Sequence, residues 1–203
     1  STVVSLLCRF YEVQRGAVLI DGVDVKNWDA RDLRRRIGLV HQDVFLFAGT
    51  IGDNISLGDP QLSPERIEAA ARDTNADRFI LRLPQRYDQP VGERGVSLSS
   101  GQRQLLSFAR VLAADPEILV LDEATANIDT ETEMWIQEAV GRLMQERTSL
   151  VIAHRLSTVR TADMILVLHH GEVREIGTHD ELLTRQGLYY RLYQLQFGEG
   201  NEP

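Results

Sequence analysis

The chain has 203 residues, 43% apolar and 26% charged, which suits one substantial core and favours neither disorder nor a bundle of membrane helices. Its formal net charge of -8 argues against the concentrated basic surface that tight nucleic-acid binding needs. No apolar run approaches the roughly 20 residues that span a bilayer, and no secretory leader opens the sequence.

Residues 2–10 are apolar at helical spacing and carry no turn residue, which predicts a helix. It begins abruptly at Ser1-Thr2, as if the chain starts inside a motif. Cys8 stands alone, so neither a disulfide framework nor a zinc-ligand spacing is available, and a buried thiol in a reducing setting is expected. Residues 17–21 and 23–25 read as short strands joined by the turn Asp21-Gly22. Asp29 is placed to cap a brief charged helix ending at Arg36, whose Arg34-Arg35-Arg36 run predicts a solvated face. Ile37-Gly38-Leu39-Val40 is a buried-type strand that leads straight into His41-Gln42-Asp43.

From residue 48 to about residue 90 the texture changes. Apolar positions recur at helical spacing, among them Ile67, Ala70 and Ala71, and Pro60, Pro64 and Pro84 break the pattern. Strand alternation is absent, so a helical sub-domain at about 50–115 is expected inside an α/β chain. A helix over 101–114 follows, stopped by Asp115-Pro116, then an apolar strand over 118–121 and an amphipathic helix over 129–145. Strands over 149–153, 164–168 and 173–176 come next, with a short helical turn over 158–160 and helices over 180–185 and 189–196. Only residues 198–203 read as a frayed tail. Alternation of this kind implies a mainly parallel sheet covered on both faces.

Four features carry chemistry. Ile118-Leu119-Val120-Leu121-Asp122-Glu123 is an apolar strand delivering two carboxylates to the carboxyl edge of a sheet, where ligands bind in open α/β folds. Asp122 there suits a magnesium ion and Glu123 an attacking water, although the pair could also cap the next helix. Leu98-Ser99-Ser100-Gly101-Gln102 precedes a helix, and small residues at a helix N-terminus let backbone amides approach an anion; a plain helix cap has the same pattern. His154 ends the strand over 149–153, where it is either a satisfied core residue or a contact to a terminal phosphate. Gln42 follows the strand over 37–40 as an amide able to touch a metal or water.

Along the chain, in the order Gln42, residues 98–102, Asp122-Glu123, Asp129 and His154, each at a strand end or helix start, these residues resemble the ATPase domain of the ATP-binding-cassette (ABC) family, and the likeness covers essentially the whole chain. It implies an α/β P-loop NTPase core with a mainly parallel sheet and the inserted helical sub-domain, one domain over 1–203. Gln42 matches the family's Q-loop glutamine, which touches magnesium and links to the transmembrane partner. Residues 98–102 match the signature motif, whose usual form is Leu-Ser-Gly-Gly-Gln, with Ser100 a departure at the third position. Asp122 matches the Walker B magnesium ligand, Glu123 the catalytic glutamate, Ala126-Asn127-Ile128-Asp129 the D-loop that crosses to a partner subunit, and His154 the switch histidine. Gly92-Glu93-Arg94-Gly95 has the flavour of an exporter.

Ser1-Thr2 resembles the end of the phosphate-binding loop, with Ser1 as a magnesium ligand. The loop's glycines and lysine are not in the sequence, so the chain as given is expected to bind ATP poorly. The likeness implies Mg-ATP as cofactor and a site that joins Ser1, Thr2, Gln42, Asp122, Glu123 and His154 of one subunit to Ser99, Ser100, Gly101, Gln102 and Asp129 at the dimer junction. It implies a second nucleotide-binding domain and a transmembrane domain as partners, no nucleic acid, and a place on the cytoplasmic face of a membrane. The implied function is ATP hydrolysis that powers export. Two rival readings are an ABC ATPase of DNA repair or translation, which lacks support in heptads or basic charge, and an inactive fragment that kept the fold.

Overall fold

The structure is a computed structural model and describes residues 2–41, 43–92, 97–122, 128–153 and 156–197, without the side chains of 156, 157, 196 and 197. It divides into two compact units, Ser1–Leu150 and Val151–Pro203.

In the first unit, helix α1 (Thr2–Leu7) ends three residues earlier than its apolar pattern predicts. Arg9 turns the chain with φ 51°, and the Arg34 guanidinium takes the Cys8 and Arg9 carbonyls at 3.1 Å each, satisfying groups that a longer helix would have bonded itself. Strands β1 (Leu19–Ile20) and β2 (Val23–Asp24) form the expected hairpin, with positive φ at both Asp21 and Gly22. Asp29 caps α2 (Ala30–Arg35) by accepting from the Arg31 and Asp32 amides. The arginine run is exposed, yet not merely solvated: Arg36 pairs with Glu117 at 2.5 Å and lies over the Trp28 ring.

Strand β3 (Ile37–Val40) is followed by β4 (Gly49–Thr50), α3 (Ile51–Ser56), α4 (Pro64–Asp73), α5 (Asp77–Ile80) and β5 (Pro90–Val91). The antiparallel pair β4–β5 was not expected from the sequence. Two residues per strand are too few to show a period of two, and Pro90 speaks against a strand. Thr50 and Asp53 close α3 with a reciprocal capping box, and Ser63 caps α4 ahead of Pro64.

Helix α6 (Ser100–Ala114), strand β6 (Ile118–Asp122), helix α7 (Thr130–Met144) and strand β7 (Thr148–Ile152) follow at the expected positions. The central sheet has the order β3-β6-β7, and β3 runs parallel to β6 with Ile37 opposite Ile118 and Val40 opposite Leu121. Helix α6 packs on β3, on α7 and on α3 and α4. Its close approach to the sheet depends on Gly38, where a β-carbon would lie 2.5 Å from Pro116 Cγ and 2.6 Å from Val111 Cγ1. Leu105, Leu106, Phe108 and Leu119 are buried in the core, and Cys8 is buried as its neighbours predict.

In the second unit, α8 (Leu156–Arg160) precedes the antiparallel hairpin of β8 (Ile165–His169) and β9 (Glu172–Gly177), which turns at His170-Gly171. Helices α9 (His179–Arg185) and α10 (Leu188–Phe197) complete it. Val167, Leu182 and Tyr189 form its core, and the His179 ring meets the Tyr189 hydroxyl at 2.7 Å. No helix among the described residues is long and apolar enough to cross a membrane.

Candidate active site

Two places collect the residues singled out in the sequence. The first is the carboxyl edge of the central sheet. Because β3 and β6 are parallel and in register through Val40 and Leu121, the residues that follow them leave at one edge. Asp122 ends β6 there, half-buried, and its carboxylate has no hydrogen-bond or ion-pair partner among the described residues. His41 lies on the same edge, one residue past β3.

The second place is the crossing of α6 and α7. Ser99 caps α6: its hydroxyl accepts from the Gln102 amide at 3.2 Å, and the Gln102 side chain accepts from the Ser99 amide at 3.1 Å. The capping pattern noted in the sequence is therefore realised, and it leaves Ser99 exposed at the positive end of a 15-residue helix. Asp129 caps α7, its carboxylate accepting from the Thr132 amide at 2.9 Å. That amide, and then the Thr132 hydroxyl, hold the Asp129 carboxyl below its usual range.

Gly101 joins the two helix heads. It is buried, and a β-carbon on it would meet the side chains of Thr132 and Ile128. The residues of the signature-like motif and Asp129 are thus brought together by direct packing of α6 on α7. Thr2 opens α1 and is exposed. Ser1, Gln42, Glu123, Ala126, Asn127 and His154 lie outside the described residues, as do residues 93–95 of the exporter-like loop.

No group of three or more His, Cys, Asp or Glu side chains suited to a metal occurs among the described residues. Magnesium needs no such cluster, since it keeps several waters and takes one or two protein oxygens beside phosphate. The uncommitted Asp122 carboxylate at the sheet edge fits that requirement.

Sequence reasoning missed one polar centre in this unit. Arg110 of α6 donates from Nε to the Asn54 carbonyl at 2.8 Å and from Nη1 to the Phe45 carbonyl at 3.2 Å. Asn54 is buried, and its amide in turn bonds Phe47 and Thr50. Nothing local flags Arg110, because its partners Asn54 and Phe45 lie 56 and 65 positions away, whereas Asn54 bonds Phe47 and Thr50 only seven and four positions off.

Comparison with known proteins gives a consistent result. The family model described as "ABC transporter" matches residues 1–126. Over 199 residues the chain is 53% identical to the "Probable multidrug resistance ABC transporter ATP-binding/permease protein YheH" of Bacillus subtilis, an alignment covering 98% of this chain and 30% of that protein. It is 52% identical over 199 residues to the "ATP-dependent lipid A-core flippase" of Syntrophus aciditrophicus, covering 98% of this chain and 33% of that one. Among solved structures it resembles a bacterial Atm1-family ABC exporter with ATP bound, with a TM-score of 0.89 and 44% identity over 99% of this chain and 35% of the other. The chain spans about a third of the length of the proteins it matches.

Proposed function

This chain belongs to the ABC transporter family, and on that premise we propose that it is the ATP-binding and ATP-hydrolysing part of a membrane exporter. The observation that carries the proposal is the parallel register of Val40 with Leu121, which sets Asp122 on the same sheet edge from which the chain leaves β3 toward Gln42. The solved structure that the chain resembles is described as an exporter with ATP bound, which supports both the direction of transport and the nucleotide.

In this reading the chain is one domain over 1–203 with a helical sub-domain at about 50–115. Ser1, Gln42 and Asp122 would hold magnesium, which would supply positive charge to offset that of the phosphates. Glu123 accepts a proton from water as the water oxygen bonds the γ-phosphorus and the bond to the ADP oxygen breaks. His154 steadies the γ-phosphate, and Thr2 lies at the phosphate-binding end of α1. Ser99, Ser100, Gly101 and Gln102 face a nucleotide held by a second nucleotide-binding domain, with Asp129 at the junction. The exposed helix head at Ser99 suits an anion arriving from outside the chain. A transmembrane domain completes the exporter, with this chain on the cytoplasmic face.

The test is Glu123→Gln in the full-length protein that carries this chain. Turnover is expected to fall by about 100-fold or more, the scale of a lost general base, while ATP still binds. Turnover at the normal rate would remove Glu123 from the chemistry and with it this reading of the sheet edge.

A further inference from the structure

Between β3 and α3 the chain makes a strap, residues 43–50, and most of it forms neither helix nor strand. Its backbone groups still need partners. Leu46 is fully buried beneath it, whereas Phe45 and Phe47 on either side are each 54% exposed and meet edge to face at 5.0 Å. Two side chains from elsewhere hold the strap. Asn54, 1% exposed, accepts from the Phe47 amide at 2.8 Å and donates to the Phe47 and Thr50 carbonyls at 2.9 and 3.0 Å. Arg110 then grips from α6: Nε reaches the Asn54 carbonyl, Nη1 the Phe45 carbonyl and Nη2 the Asn54 Oδ1 at 3.4 Å. Asn54 thereby uses both of its donors and both acceptor positions.

The choice of arginine is informative. The guanidinium is half-buried, and among the described residues it bonds only carbonyl oxygens and lies over the Phe47 ring, 6.0 Å from its centre, with no carboxylate paired to it. Burial lowers its pKa, as expected for a cation without a counter-charge. Packing alone would be met more cheaply by an apolar side chain. What arginine adds is a planar fork that bonds two separate stretches of backbone at once. At 1.5 Å per residue, Arg110 stands about 16 Å along α6 from its capped head at Ser99.

We propose that Arg110 is a positioning residue that makes the strap and α6 one mechanical body, so that displacement of the exposed Phe45–Phe47 pair is carried to the Ser99 end of α6. The gripped Phe45 carbonyl lies three residues along the chain from Gln42. This inference rests on the ATPase reading above.

The experiment uses the full-length protein with Arg110→Met, close in size but without the fork, and Arg110→Lys, which keeps the charge alone. Steady-state ATP hydrolysis and hydrogen exchange at the Phe47 amide are both measured. Arg110→Met is expected to lower kcat about tenfold with KM for ATP within about twofold, the pattern of lost positioning rather than lost binding. Exchange at Phe47 is expected to accelerate while the buried amides of α6 keep their protection, and Arg110→Lys should fall between on both readouts. An unchanged kcat with faster Phe47 exchange overturns the proposal and leaves a purely local brace. Loss of protection throughout α6, with kcat and KM moving together, overturns it in favour of a general stabilising role, and Arg110→Lys decides the matter should Arg110→Met not fold. Absence of hydrolysis in the unaltered protein would instead overturn the ATPase reading, so the two failures are distinct.

Discussion

Gly101 meets Thr132 where the first turn of α6 crosses the first turn of α7, and the contact leaves no room for a methyl group on Gly101. The sequence suggests a glycine that lets backbone approach a phosphate. The structure gives it a packing task as well, and the backbone there is ordinary helix, so conformational freedom is not the reason for glycine. Gly101→Ala is expected to destabilise the protein by about 1–3 kcal/mol, the usual cost of overpacking. Thr132→Ser removes the opposing methyl and should restore most of that loss in the double variant, a coupling read from urea midpoints. Additive effects of the two substitutions would show that the helices separate freely.

Asp115 closes the far end of α6 in the left-handed conformation, φ 52° and ψ 58°. Its carboxylate accepts from Arg147 at 2.8 Å and lies 3.4 Å from Arg66, which also bonds the last carbonyls of the helix. The Arg147 hydrogen bond, with smaller help from the Arg66 charge, holds the Asp115 carboxyl below its usual range. A carboxyl with a lowered folded pKa stabilises the fold above its unfolded value of about 3.9, and that contribution disappears as pH falls through the folded value. Asp115→Asn tolerates the same backbone and should cost under about 1 kcal/mol at pH 7, because the Asp115 carboxylate is largely exposed and its charge is screened by water. The difference from the unaltered protein should close as acid is added below pH 4. A gap that persists at the lowest pH would mean that the amide is a poor cap, independent of charge.

Tyr87 borders a groove of about 220 Å³ lined by Asp53, Glu68 and Asp88 among others. Burial pushes its phenol up to about 12, and the Asp77 and Glu68 charges add to the effect against a smaller opposing one from Arg72. A raised folded pKa means stability that is complete below the unfolded value of about 10 and is lost as pH rises from there through about 12. Tyr87→Phe should flatten the alkaline fall in stability, in part only, since burial raises Tyr189 too. A spectrophotometric titration of the variant should lack one late-ionising tyrosine, and a curve that keeps it would place the raised phenol elsewhere.

Much of the architecture was readable because its causes are local. The Asp29 and Ser99 caps, the Asp21-Gly22 and His170-Gly171 turns, and the stop of α6 at Asp115-Pro116 each depend on residues within four positions of one another. The apolar runs of β3 and β6 gave their burial directly, and the acid at the end of β6 marked the sheet edge. The early end of α1 was not readable, because Arg34, 26 residues from Cys8, supplies the bond that ends it. The β4–β5 bridge was hidden by its brevity.

The sequence by itself determined the family likeness, the order of the elements and the residue types at the candidate site, since these follow from short-range pattern and chemistry. Only the tertiary structure decided which side chains meet: that Val40 faces Leu121, that Gly101 is closed by Thr132, and that Arg110 grips Phe45 and Asn54 from 65 and 56 positions away. The physical reason is that such contacts arise from the packing of α6 against the sheet and its neighbouring helices, and separation along the chain carries no record of that distance in space.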